Sequence, residues 1–285
     1  MRFEIDGATA YAYTGGKPFD PALPTIVLVH GAQNDHSVWA LQSRYLAHHG
    51  FSVLAVDLPG HGRSGGRALA SVEAMAAWLL AVMSAAGVRR AILVGHSMGS
   101  LIALEAVHQA KAQATEQATA QAPAQDPELV AGLALLGTTY PMKVSDALLE
   151  TARSDEAAAI DMVNIWSHSS IAHKPSCPGP GFSVMGGARR LMQRMSARNP
   201  HALFHTDFTA CNDYANGEAA AAGVRCPVLF VFGSKDMMTP PRSTKLLTGL
   251  LSHGRIVTVD AGHQMMAEAP DAVLDALAGF AAALA

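Results

Sequence analysis

The chain has 285 residues, half of them hydrophobic and 15% charged, which supplies a large core and excludes a mostly disordered polymer. Lys and Arg number 20 against 23 Asp and Glu, a formal charge of −3, so there is no basic excess to neutralise phosphates and nucleic acid is not the expected partner. The apolar runs Ala74–Met83 and Ala276–Ala285 fall well short of the ~18 residues a membrane helix needs.

In chain order, Arg2–Tyr13 alternates weakly and is expected to form an antiparallel edge hairpin. Thr25–Val29 (TIVLV) and Ser52–Val56 (SVLAV) read as buried strands. So do Ala91–Val94, Val130–Leu136, Val228–Phe232 and Arg255–Val259. Continuous apolar strands point to a sheet covered on both faces. Helical stretches fall near Ser37–His48, Ser71–Ala86 (Ser71 as N-cap), Met98–Lys111, Pro241–Leu251 and Pro270–Ala285. This alternation predicts an α/β fold with a mainly parallel, doubly wound sheet. Residues 110–127 (AKAQATEQATAQAPAQDP) form a low-complexity insert, read as a solvent-exposed helix extension or surface insert. Residues 138–223 carry no clear strand, and a structureless loop of that length is improbable. They are read as a helical cap inserted in a core made of 1–137 and 224–285.

Gly95-His96-Ser97-Met98-Gly99 lies between the strand AILV and the helix SLIALEAVHQA. The pattern G-x-S-x-G alone is weak, and Gly62-Arg63-Ser64-Gly65-Gly66 matches it too. Only the first has a strand running into it and a helix running out, so context selects Ser97. A sharp strand-to-helix turn forces its serine into a strained conformation, needs glycine where side chains would collide, and presents the hydroxyl above the sheet.

A serine hydroxyl needs a base, and the base an orienting acid. Asp236 follows VLFVF and His263 follows RIVTV. Both therefore fall at strand C-termini, on the same sheet edge as Ser97. Asp260 is a competing acid, but it sits too near His263 in sequence to face it from the same turn. A developing oxyanion would need N–H donors. Met98, directly after the serine, and Ala32, in the loop after VLVHG, are the candidates.

With these residues in view, the chain resembles the α/β-hydrolase superfamily. The matching pieces are VLVHGA at 27–32, DLPGHGRS at 57–64, GHSMG at 95–99, GSKDMMTP at 233–240 and DAGHQMMAEAP at 260–270. The resemblance implies an eight-stranded, mostly parallel sheet, no cofactor, and hydrolysis through an acyl-serine intermediate. Ser97 argues against epoxide-hydrolase-like and dehalogenase-like members, which place Asp there. Gln264 departs from the aromatic residue that carbon–carbon bond hydrolases carry after the histidine. The expectation is a serine carboxylic ester hydrolase. A carbon–carbon bond hydrolase, a thioesterase and a cofactor-free haloperoxidase-like member are alternatives, and a ligand-binding hydrolase-fold protein is the non-enzyme one.

Methionines at 98, 237, 238, 265 and 266 adjoin the triad positions, and those at 142, 162, 185, 192 and 195 fall in the 138–223 segment. Such side chains suit an adaptable apolar pocket. Trp166, Phe182, Met185, Met237 and Met265 are the candidate lining, with Phe204, Phe208 and Tyr214 beside them, for an apolar acyl or aromatic ester. Arg190, Arg194 and Arg198 share a helix face, a solvated surface or a docking stripe for an acyl carrier protein. His201 and His205 are spaced i, i+4, but no H-E-x-x-H pattern accompanies them and no metal is expected. The start MRFEIDGATA lacks a secretory apolar run, and Cys177, Cys211 and Cys226 imply no disulfide framework. A cytoplasmic protein is expected.

Overall fold

The computed structural model describes residues 1–120, 129–170, 183–199 and 202–285. The chain runs through β1 (Arg2–Ile5), β2 (Ala8–Tyr13), β3 (Thr25–Val29), α1 (Ala40–His48) and β4 (Ser52–Asp57). It continues with α2 (Val72–Ala85), β5 (Ala91–His96), α3 (Met98–Ala120) and β6 (Val130–Leu136). Five helices come next: α4 (Asp146–Ser154), α5 (Glu156–Trp166), α6 (Val184–Arg198), α7 (Leu203–Asp213) and α8 (Gly217–Gly223). The last part is β7 (Val228–Gly233), α9 (Lys245–Leu250), β8 (Arg255–Val259), α10 (Met265–Glu268) and α11 (Pro270–Ala282). The strands form one eight-stranded sheet in the order β1-β2-β4-β3-β5-β6-β7-β8. β1 and β2 are antiparallel, as is the β2–β4 pairing, and every pairing from β4 to β8 is parallel.

The apolar strands explain this arrangement residue by residue. Val27, Val29, Leu54, Val56, Leu93, Leu133 and Phe230 face one layer, with Met75, Leu79 and Met83 of α2 and Leu101, Ile102 and Leu104 of α3. Their sequence neighbours Ile26, Leu28, Val53, Ala55, Ile92, Val94, Ala134 and Leu229 face the other, with Leu46 of α1 and Val273 and Leu277 of α11. A strand that is apolar at every position thus has both faces buried, as a parallel sheet between helices requires. Ser71 caps α2, its Oγ accepting from Ala74 N at 3.2 Å.

α3 runs past Lys111 to Ala120, in line with the helix extension expected of the 110–127 stretch, because Ala- and Gln-rich sequence favours helix; the rest of that stretch lies outside the described residues. The 138–223 segment departs from the expectation. Within 138–223, α4 to α7 build a small core of their own around Leu148, Ile160, Val163, Met192, Phe204 and Phe208. The end of α7 and α8 instead join the main core through Ala210, Cys211, Tyr214, Ala220 and Ala221. Tyr140 sits against Gly217, where any Cβ would strike its ring, so α8 docks closely on the sheet layer rather than travelling with the other four helices. No described helix is long and apolar enough to cross a membrane.

Candidate active site

The turn between β5 and α3 bends as the glycine pattern demands. Ser97 has φ +53°, in the left-handed region. A Cβ on Gly95 would run into the carbonyl of Gly99, and one on Gly99 would run into the carbonyls of Val29 and His30. Both glycines are therefore forced by close backbone approach. Ser97 N donates to Leu136 O at 2.9 Å, and Ser100 N to Ser97 O at 2.8 Å. The strain of the turn is thus held between β6 and the first turn of α3.

Asp236 and His263 arrive from the loops after β7 and β8. His263 Nδ1 is 2.8 Å from Asp236 Oδ2. The carboxylate is saturated on its other side: Met238 N and Thr239 N each donate to Oδ1 at 2.8 Å. Thr239 Oγ1 donates to Oδ2 at 2.8 Å. Burial alone would push the Asp236 carboxyl up. The charge of His263 and these hydrogen bonds outweigh burial and hold it at about 2, so the side chain is anionic at neutral pH. The anion fixes the Nδ1–H tautomer and leaves Nε2 as the free basic nitrogen. Asp260 instead pairs with Lys235 Nζ at 2.7 Å on the surface.

Ser97 and His263 line one cavity of about 180 Å³, together with Ala32, Met142, Leu148, Trp166, Phe208, Met237 and Met238. Among the described residues Ser97 Oγ donates no hydrogen bond, so the shared cavity, not a closed Ser–His bond, pairs these two groups. Catalytic hydrogen bonds often tighten only once substrate binds. No described acceptor takes the N–H of Ala32 or of Met98, and Met98 opens α3, where helix N–H groups are unpaired and positively polarised. Cys211 also lines the cavity, but burial holds its thiol far above the ordinary range, which keeps it protonated and unreactive.

Of the expected lining, Trp166 and Met237 reach the cavity, with Phe208, Met142 and Met238 beside them. Met265 does not line it: it is fully buried among the residues that pack with Val259 and Val273 beneath the sheet, because it opens α10 pointing into the core. Met185 is half-buried in the first turn of α6 and is not part of the cavity wall. Phe204 stacks on Phe208 at 4.5 Å inside the four-helix core, and the Tyr214 hydroxyl donates to Glu105 Oε2 at 2.8 Å. Phe182 and His201 lie outside the described residues. Arg190 and Arg194 are exposed on α6, and Arg198 donates to Gly62 O at 3.2 Å.

Three positions that the sequence reading did not assign support the site. Thr239 seals the Asp236–His263 pair. Glu268, 3% exposed, accepts Gly262 N with one oxygen and both Ser169 N (2.9 Å) and Ser169 Oγ (2.8 Å) with the other. It ties the His263 loop to the segment after α5. Asp207 of α7, fully buried, accepts both His61 Nε2 at 2.9 Å and Gln33 N at 2.8 Å through Oδ2. His61 Nδ1 lies 3.1 Å from Pro59 O, so both ring nitrogens face acceptors and the ring is an imidazolium. Burial would lower the His61 pKa, but the Asp207 charge raises it above the ordinary value. This pair pins Gln33, itself at φ +57°, one residue after Ala32. The Gln33 amide Nε2 reaches Met192 O at 3.1 Å and Ser196 Oγ at 2.7 Å on α6. The loop carrying Ala32 is thereby held by two helices 150 or more positions away in sequence.

Asp35, His36 and Asp57 bring possible metal-ligand atoms within 4.8 Å of one another. Their bonds are internal, however. Asp57 Oδ1 accepts His36 N and faces His36 Nδ1, and Oδ2 accepts Arg63 N. Asp35 caps the short helix His36–Trp39. These groups fold the DLPGHGRS turn.

The profile of the alpha/beta hydrolase family matches residues 26–276. The chain belongs to the alpha/beta hydrolase family. It is 26% identical over 270 residues to the pimeloyl-[acyl-carrier protein] methyl ester esterase of Klebsiella pneumoniae, covering 88% of this chain and 91% of that one. It is 23% identical over 263 residues to the (E)-2-((N-methylformamido)methylene)succinate hydrolase of Acinetobacter baylyi, covering 88% of each. An esterase from Exiguobacterium antarcticum has the same fold, with a TM-score of 0.76 at 17% identity over 99% of this chain and 98% of that one. Esterases and other hydrolases are therefore what this hydrolase-family chain resembles.

Proposed function

We propose that the protein is a serine hydrolase that cleaves a carboxylic ester with an apolar acyl or aromatic group through an acyl-serine intermediate. The observation that carries this reading is the buried His263–Asp236 bond at the edge of the cavity that Ser97 also lines, with Ser97 held in the left-handed turn. His263 Nε2 takes the Ser97 proton as Oγ attacks the ester carbonyl, and Asp236 stabilises the resulting imidazolium. The N–H groups of Ala32 and Met98 receive the oxyanion; one such donor is worth about 10²–10³ in kcat. His263 then protonates the leaving alcohol, and water releases the acid.

The cavity wall suits a substrate with an apolar portion, since Met142, Leu148, Trp166, Phe208, Met237 and Met238 line it alongside the polar Lys143, Ser145 and Thr239. The four-helix part of 138–223 acts as the cap that closes over it, because α4, α5 and α7 contribute Leu148, Trp166 and Phe208. The test is a p-nitrophenyl ester series from acetyl to decanoyl with the purified protein and its S97A variant. The expected result is turnover that S97A abolishes and that depends on acyl length, with an optimum at short-to-medium chains. Turnover surviving S97A contradicts the assignment of the nucleophile, and equal rates across the series contradict the apolar pocket.

A further inference from the structure

Beside the substrate cavity lies a second one of about 20 Å³, which shares Ala32, Ser97, Phe208, Met238 and His263 with it. A space of that size holds one water when polar groups line it. His96 and Ser167 both line it, and each carries a buried polar atom with no partner among the described residues, His96 Nδ1 and Ser167 Oγ. Both residues are 1% exposed. Each is anchored through a different atom to the loop that carries His263. His96 Nε2 donates to His263 O at 2.9 Å, and Ser167 O accepts from Gln264 N at 2.9 Å. Because Nε2 holds the proton, the neutral His96 ring offers Nδ1 as an acceptor. Burial, aided by the neighbouring His263, holds the His96 pKa at about 3, so the ring stays neutral. The Ser167 hydroxyl rotates freely enough to donate or accept. Two unpaired polar atoms against one small cavity are unfavourable unless something bonds them.

We propose that this cavity is the site of the hydrolytic water, held between His96 Nδ1 and Ser167 Oγ beside Ser97 and His263. The inference rests on the acyl-serine reading. His96 accepts one O–H of the water, which leaves the other for His263. The water oxygen attacks the acyl carbonyl carbon as its proton passes to His263 Nε2. The bond between that carbon and Ser97 Oγ then breaks, the proton returns from His263 to Oγ, and the carboxylic acid leaves. One water is consumed and no redox partner is needed. His96 and Ser167 are positioning residues here, acting through the water.

The experiment is single-turnover decay of the acyl-enzyme in wild type, S167A and S167T, followed by intact mass and product release. Ser167 N donates to Val163 O at 2.9 Å, a main-chain bond that S167A keeps. The expected result is a deacylation rate about tenfold lower in S167A, a longer-lived acyl adduct, and kcat and KM falling together with kcat/KM within about twofold. S167T, which keeps a hydroxyl, restores the rate. Unchanged deacylation in S167A, or a loss confined to kcat/KM, overturns the proposal. If S167A does not fold, a high-resolution crystal structure of the wild type decides: a water within about 3.2 Å of both atoms is expected, and a dry cavity overturns the site. A wild type that labels at Ser97 with a fluorophosphonate yet shows normal deacylation in S167A loses only the water site. A wild type that does not label removes the acyl-serine reading as well.

Discussion

Among the described residues two His–Asp pairs are buried on both sides, His263–Asp236 at 2.8 Å and His61–Asp207 at 2.9 Å. They differ in what the second ring nitrogen meets. In His61 it meets the Pro59 carbonyl, so both ring nitrogens are engaged by acceptors. His263 lines the cavity with Ser97, and its Nε2 is left as a base. An imidazole bonded on both sides serves as a strut between β4, the Ala32 loop and α7. An imidazole bonded on one side and open to a cavity can move a proton. The difference between structure and chemistry at these two sites is therefore one acceptor, not one residue type.

The largest effect is expected at the His263–Asp236 pair. D236N should lower kcat by about 10³–10⁴, because the amide no longer fixes the Nδ1–H tautomer, while Tm changes by a few degrees at most. A steady-state assay beside a thermal scan separates the two effects, and a loss under tenfold would mean that another group orients His263. On the strut side the balance is reversed. D207N leaves a buried imidazolium without its partner, a loss of about 3–5 kcal/mol. For a chain of this size that is a Tm drop of roughly 10 °C. Because the neutral amide oxygen holds Gln33 N–H less firmly than the carboxylate does, kcat should fall about tenfold with KM little changed. If D207N alters KM alone, the clamp does not act through the Ala32 loop.

Smaller effects test the cavity that His263 lines. W166A, which removes an aromatic wall without touching Ser97, Asp236 or His263, should raise KM for medium-chain esters about tenfold and leave acetyl esters within about threefold. Equal shifts across the series would place Trp166 outside the acyl site. The smallest effect is in pH. Asp236 is held at about 2 against an ordinary 3.8. Its contribution to stability is therefore complete above about pH 4 and is lost as pH falls toward 2. Urea midpoints from pH 5 to pH 2 should fall less steeply in D236N than in wild type, and parallel slopes would show that the carboxylate is not stabilised in the fold.

The strand side of this comparison was legible in the sequence. Runs such as TIVLV and VLFVF have both faces buried, so each residue reports the same thing and the period is unambiguous. Ser97, Asp236 and His263 were legible for a related reason: each stands in a short motif at the end of such a strand, and the sheet brings those ends together. The strut was only half visible. His61 sits in the DLPGHGRS turn, but Asp207 lies mid-helix in no motif, 146 positions away, and only the packing of α7 brings it there. Met265 misled because closeness to His263 in sequence says nothing about which way a helix's first side chain points. Thr239 had a signal that went unused: a threonine three residues after the acid in a tight turn is placed to bond its carboxylate.

The most direct measurement is labelling of the folded protein with a fluorophosphonate probe, followed by peptide mass mapping in wild type, H263A and D236N. The account predicts a single adduct on Ser97, about 10³-fold slower in H263A and strongly slowed in D236N. An adduct on another residue, or labelling of Ser97 at an unchanged rate without His263, would contradict it.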